Sequence, residues 1–308
     1  MIATAGLLAD LNISSANAQL AKIYSETENT KVKSAILPAL NQLQYADIEV
    51  VIKQGMSDKD ENVRTVALGL LNNDNVSKES LPMLVKNIFE KGSTKEQQQI
   101  LTVLGKLPLE KTQIVLESLI EQLKEKQLLP DVSLELREAI ETSNSDVLKT
   151  KIAAIKPVAS PMDEYLEALF GGNRGNGRNI FNYNSAAQCV RCHALGGEGG
   201  SVGPNLAKIG SVLSREQLLQ ALIEPSARLA PGYGTVILKL KDGQEVTGVL
   251  IKENEYELVL TTSDAEPLVI ALARITKREN MPSSMPPMGT LLSKREIRDV
   301  VEFLANLK

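Results

Sequence analysis

The chain has 308 residues, 43% of them hydrophobic and 23% charged, with a formal net charge of −4. That length gives room for two domains with their own cores, and no apolar run approaches the roughly 20 residues of a membrane span. On either side of residue 157 stand 18 basic against 21 acidic and 16 against 17 residues. Neither half has the basic excess that attracts nucleic acid or an anionic membrane.

From Ile2 to about Lys156 the sequence reads as short amphipathic helices, apolar at i, i+3, i+4 and i+7 and interrupted by Asn, Asp, Gly and Pro. Three segments align with one another: Thr30 to Leu40, Glu61 to Leu71 and, more loosely, Thr94 to Leu104. Val32 and Val63 are equivalent at an offset of 31. A period near 30 built of helix pairs points to an α-solenoid, in which each pair buries its apolar face by stacking on its neighbours. The Val63-Arg-x-x-Ala67 pattern and its echoes resemble HEAT-like repeats. An irregular helical bundle is the alternative, and neither version shows catalytic residues.

Two prolines and small residues in Lys156-Pro-Val-Ala-Ser-Pro161 break the pattern and place a domain boundary near residue 157. A short helix is expected from Asp163 to Phe170. The glycine-rich stretch Gly171 to Gly177 then reads as a loop. It lacks the following Lys-Ser/Thr and the preceding strand of a phosphate-binding loop.

Next comes the sequence Cys189-Val-Arg-Cys192-His193, which uses both cysteines and the single histidine of the chain. This C-x-x-C-H spacing lets two thiols add to the two vinyl groups of one haem while the adjacent imidazole faces the iron. Structural zinc wants about four N or S ligands, and only three are present here. A redox C-x-x-C pair is a further alternative, but no thioredoxin-like βαβ pattern surrounds it. His193 should bind iron through Nε2 and leave Nδ1 to an acceptor. The Gly203-Pro204-Asn205-Leu206 segment just downstream is placed to provide one, or else Pro204 is a simple turn residue.

From Tyr233 to about Arg278 the pattern becomes that of strands: Thr235 to Leu240, Glu245 to Ile251, Glu257 to Thr262 and Leu268 to Leu272. The Asp242-Gly243 pair marks a hairpin between the first two. Four or five antiparallel strands forming a small sheet or barrel are expected. The chain then turns through Met281-Pro-Ser-Ser-Met285-Pro-Pro-Met288-Gly289 and ends in a helix from the N-cap Ser293 to Leu307. With one histidine in the chain, a second imidazole from it cannot be the sixth ligand. Methionine is the natural candidate, and the alternative is that these three methionines fill core gaps. Gly177 and Phe181 at i and i+4 share a helix face, with Phe303 and Leu304 of the last helix as plausible partners.

The stretch from about Gly171 to Lys308 resembles the planctomycete-type haem-binding domain, a monohaem cytochrome c with a β insertion. The resemblance lies in the ordered motifs Ala187 to His193, Gly203-Pro-Asn-Leu206, Leu213-Ser-Arg-Glu216, Glu224-Pro-Ser-Ala227, Ala230-Pro-Gly-Tyr233 and Ser284-Met-Pro-Pro287. It implies that Pro204 offers its carbonyl to His193. A Met-Pro before the C-terminal helix in monohaem cytochromes c favours Met285 as sixth ligand, with Met288 next and Met281 third. Arg228 and Tyr233, by position, are candidates to contact the haem propionates.

The resulting expectation is a mostly α chain: a HEAT-like α-solenoid over 1–157, then a cytochrome c domain over 158–308 with a small antiparallel insertion at about 233–278. One covalent haem c with His/Met ligation would make it an electron-transfer module. Its partner would be a redox protein or a fused dehydrogenase, since in the resembled family the domain often follows a propeller similar to quinoprotein sugar dehydrogenases and a run of HEAT-like repeats. Alternatives are a haem-based sensor or ligand-binding protein with an open sixth position, and a structural repeat protein. A dihaem peroxidase is opposed by the single C-x-x-C-H. Haem c is attached after export, so a periplasmic or otherwise extracytoplasmic location is expected. Met1 to Asp10 lacks the features of a secretory signal, so the chain is expected to be a mature form or an excised C-terminal piece.

Overall fold

A computed structural model describes residues 2–155, 159–262 and 266–308. The chain is mostly helical, 55% helix and 11% strand, with a small antiparallel sheet, and it forms two compact units, Met1–Pro157 and Val158–Lys308. The boundary expected at 156–161 falls partly on 156–158, which lie outside the described residues. Among the described residues no helix is long and apolar enough to cross a membrane.

The first unit contains α1 (Ile2–Asp10), α2 (Asn17–Glu26), α3 (Thr30–Gln42), α4 (Ile48–Met56), α5 (Glu61–Gly69), α6 (Leu81–Lys91), α7 (Thr94–Leu104), α8 (Leu109–Lys124), α9 (Ser133–Thr142) and α10 (Asp146–Ile155). The three segments that align in sequence are α3, α5 and α7, and each starts at a side-chain cap. Asn29 accepts from the Lys31 and Val32 amides, Asp60 from Asn62 and Val63, and Ser93 forms a capping box with Glu96.

Odd-numbered helices pack in succession, α1 on α3, α3 on α5, α5 on α7 and α7 on α9, while α6 packs on α8 and α8 on α10. Val32 and Val63 are both buried. Side chains about one repeat apart bond across this succession: Lys59 to Glu28, Ser93 to Glu61, and Arg64 to Glu96 through two nitrogens at 2.6 and 3.1 Å. The interior divides into one apolar cluster around Ile36, Leu40 and Val63 and another around Leu81, Ile100 and Leu116.

In the second unit the helix expected at Asp163 to Phe170 is a 3₁₀ helix, Pro161–Ala168. The glycine-rich stretch is not loop throughout, because α11 (Arg174–Tyr183) begins inside it, capped by Asn173, whose side chain accepts from the Asn176 amide. Its glycines answer to tertiary contact. A methyl group on Gly177 would run into the Asp299 carbonyl, and one on Gly172 into that of Arg298, both on the last helix, α14 (Lys294–Ala305). The two helices therefore cross backbone to backbone, with Phe181 and Phe303 rings 5.6 Å apart beside the crossing. Ser293 caps α14 with Glu296.

Between these helices lie α12 (Cys189–Cys192), a two-residue pair β1 (Ala194–Leu195) and β2 (Glu198–Gly199), and α13 (Arg215–Ile223). The insertion then supplies β3 (Thr235–Leu240), β4 (Glu245–Glu253), β5 (Glu257–Thr261), β6 (Leu268–Ala271) and β7 (Ile275–Asn280). They form one antiparallel sheet in the order β6-β5-β4-β3-β7, with residues 263–265 outside the described set. The hairpin turn is where Asp242-Gly243 places it, with Gly243 at φ +89°. Inward residues Val236, Leu238, Leu250, Leu258, Leu260 and Ile270 give the sheet a core of its own, separate from the cluster around Phe181, Leu219 and Val301.

Candidate functional site

The segment between α11 and α13 is short of regular structure and is held by polar side chains and close backbone approaches. Asn184 at the end of α11 accepts from the Ala186 and Ala187 amides, an Asx turn that feeds the chain through Gln188 at φ +46° into α12. This single helical turn carries Cys189 and Cys192 at its ends, and the His193 amide closes it on the Cys189 carbonyl at 2.9 Å. The three residues of the motif thus occupy one turn.

Both cysteines are free. Cys189 is half-buried against the apolar cluster of the second unit, and burial raises its thiol above the ordinary 9.0. Cys192 is exposed.

His193 Nδ1 lies 2.9 Å from the Pro204 carbonyl oxygen. A carbonyl only accepts, so Nδ1 carries a proton in this bond, and Nε2 is the ring nitrogen that the bond leaves available. Gly203 lies flat against the imidazole: a methyl group there would come within 2.6 Å of Cε1 and 2.8 Å of Nδ1. Its amide donates to the Cys192 carbonyl at 2.7 Å, and Leu206 donates to Ala194 at 2.8 Å. Asn205 bonds Gly196 through both ends of its side-chain amide. The downstream segment is therefore fastened back onto the motif at several points.

The methionines separate by burial. Met288 is 3% exposed in a 3₁₀ turn and belongs to the apolar core. Met285 is half-buried against the same cluster as Cys189, and its amide donates to Ser283 Oγ. It also lines a cleft of about 650 Å³ with Ile223, Glu224, Ser226, Asn280 and prolines of both walls. The cysteines and His193 are not on the wall of that cleft. Met281 is exposed. Arg228 and Tyr233 are also exposed and lie outside the cluster that carries Cys189, Leu206 and Met285.

The residues present fit a covalent haem. Two free thiols stand one helical turn apart, followed by an imidazole whose Nδ1 is already engaged and whose neighbour is a glycine with no side chain to crowd it. Among the described residues no three His, Cys, Asp or Glu side chains gather as a metal site made of protein donors alone.

The sequence singles out Pro204, but the part played by Gly203 beside the ring is visible only in three dimensions. The same holds for Asn184 and Asn205, although an Asn two residues before Ala186 and another after Gly203-Pro204 are ordinary turn signals. No known family model matches the chain, and no curated protein matches it in sequence.

Proposed function

We propose that the chain is an electron-transfer c-type cytochrome. Cys189 and Cys192 would hold one haem c through thioether bonds, and His193 Nε2 and Met285 would bind its iron. The observation that carries this reading is the hydrogen bond between His193 Nδ1 and Pro204. It fixes the tautomer of the one imidazole in the chain at the end of the C-x-x-C turn.

The haem supplies a one-electron couple. The protein's own part is to hold and exclude. Pro204 orients the imidazole and increases its basicity, Gly203 keeps the ring's flank clear, and the cluster of Phe181, Leu206, Leu219 and Met288 offers an apolar surround that favours the less charged state. No side chain is assigned a catalytic step. A thioether ligand raises the potential relative to a second imidazole, which suits an acceptor for a dehydrogenase.

In this reading the second unit is a cytochrome c domain and the first a HEAT-like solenoid. The 31- to 33-residue offsets of the caps Asn29, Asp60 and Ser93 support the latter. The partner is a redox protein or a fused dehydrogenase, and the location is extracytoplasmic, where haem c is attached. The ordered motifs shared with the planctomycete-type domain support the same assignment.

Co-expression with a haem-attachment system tests it. A haem band that survives a denaturing gel, is lost in Cys189→Ala/Cys192→Ala and titrates reversibly in one one-electron step is the expected result. Absence of covalent haem from the wild-type chain overturns it.

A second reading, haem-based ligand binding with a weak sixth ligand, is favoured by the half-buried setting of Met285 on a proline-rich turn. Carbon monoxide binding to the reduced, undenatured protein selects it.

A further inference from the structure

Three stretches of the second unit, far apart in sequence, meet beside Met285. The first is the turn that follows α13, closed by the Ala227 amide on the Glu224 carbonyl at 2.9 Å. The second is the end of β7, where Asn280 Nδ2 donates to the carbonyls of Ser226 at 3.0 Å and Ala227 at 3.2 Å. The third is the Met285 segment itself. Its Ser283 amide donates to Ser226 Oγ at 3.0 Å, and its Met285 amide donates to Ser283 Oγ at 3.1 Å. Ser226 thus serves both neighbours, Asn280 through its carbonyl and Ser283 through its hydroxyl. Every residue in these four bonds lines the cleft beside Met285.

The ties are themselves held from the sheet. Arg278 Nε, a donor only, is 3.0 Å from Asn280 Oδ1, which turns Nδ2 toward the carbonyls. Glu253 on β4 accepts from Arg278 Nη1 at 2.7 Å. Where the segment leaves the sheet, the Met281 amide still donates to the Thr235 carbonyl of β3 at 2.9 Å. Pro282, Pro286 and Pro287 have no amide to give. The segment therefore depends on the few donors left to it, and those of Met281, Ser283 and Met285 are engaged.

Resting on the reading of Met285 as sixth ligand, we infer that Ser226 and Asn280 are its positioning residues, through which the β insertion keeps that ligand in place. Methionine is flexible about three bonds, and a group that must be ordered when it binds loses that cost from its affinity. The ties order the backbone of Met285 beforehand. None of them includes Cys189, Cys192 or His193, so they bear on one side of the site alone.

Ser226→Ala tests this, since it removes the hydroxyl that accepts from Ser283 and keeps the carbonyl that accepts from Asn280. In the haem-loaded full chain the loss of one neutral hydrogen bond should loosen the segment about fivefold. Two readouts follow it: the affinity of the reduced protein for carbon monoxide, which must displace the sulfur, and the deuterium uptake of residues 281–288. Both should rise about fivefold. Asn280→Ala, which removes two bonds, should raise them further, and Ser226→Thr, which keeps the hydroxyl, should restore wild-type values. Thr276→Ala removes a hydroxyl bond to the Lys239 carbonyl within the same sheet and none to the segment, so it should change neither.

Wild-type carbon monoxide affinity and deuterium uptake in Ser226→Ala overturn the inference, as does an equal change in Thr276→Ala. A charge-transfer band at about 695 nm that survives Met285→Ala refutes the ligand reading, and the inference falls with it. A band lost in Met285→Ala, with both readouts of Ser226→Ala unchanged, refutes the inference alone.

Discussion

His193 Nδ1 and the carbonyl oxygen of Pro204, eleven residues apart in sequence, lie 2.9 Å from each other. The acceptor is backbone, and the neighbour that keeps the ring in place is a glycine. The residue types that matter here are thus not the ones that bond. Pro204→Ala retains the carbonyl and is expected to load haem nearly as the wild type does. Gly203→Ala puts a methyl 2.6 Å from Cε1, displaces the ring and should lower haem content severalfold. Haem per chain, measured as the pyridine haemochrome, checks both. Wild-type loading by Gly203→Ala would show that the imidazole is free to turn.

Met285 and Met288 are three residues apart and differ in setting. Met288 is a core residue, so Met288→Ala should cost about 2–4 kcal/mol in urea unfolding while preserving the ligand set. Met285→Ala should remove the charge-transfer band at about 695 nm of the oxidised protein with a smaller loss of stability. If the band persists in Met285→Ala and vanishes in Met288→Ala, the assignments are exchanged.

The two cysteines should differ in reactivity in the haem-free chain. Cys189 is half-buried with its thiol pushed up by burial, so it holds less thiolate at a given pH than an ordinary cysteine, whereas Cys192 is exposed. Iodoacetamide at pH 8 is expected to label Cys192 first, read by peptide mass mapping. Equal rates would mean that the turn opens faster than it is alkylated.

In the first unit Arg64 grips Glu96, which is almost fully buried. Its hydrogen bonds from Arg64, then those from Ser93, hold the Glu96 carboxyl below the ordinary 4.5 against the cost of burial. A lowered folded value stabilises the fold in full above the unfolded pKa, and that contribution is lost as pH falls through the folded one. Arg64→Ala should therefore cost about 3 kcal/mol at pH 7 by leaving a buried carboxylate unpaired. In urea titrations the gap to wild type should narrow on acidification below pH about 4. A gap that does not change with pH would assign the loss to packing.

Much of this was legible before any coordinates. The spacing of Cys189, Cys192 and His193, the Ser293 cap ahead of α14 and the Asp242-Gly243 turn are local signals written in adjacent residues. What escaped depends on distant partners. The start of α11 at Arg174 is hidden in a glycine run, because Gly172 and Gly177 are there for the carbonyls of Arg298 and Asp299, more than 100 residues away. Strand β7, Ile275-Thr-Lys-Arg-Glu-Asn280, does not alternate as a half-buried strand should and owes its place to pairing with β3. The burial that separates Met285 from Met288 has no counterpart in a sequence where each of the three methionines stands beside a proline.

The sheet of β3 to β7 buries its leucines against one another and shares no residue with the apolar cluster behind Cys189. It is tied to the rest of its unit by a few bonds, such as those of Asn280 to the Ser226 and Ala227 carbonyls. Its amides should accordingly form a separate class in hydrogen exchange, opening at lower free energy than α11 and α14. The insertion can then melt as a foldon hung on the helical framework, without the surroundings of His193 coming apart.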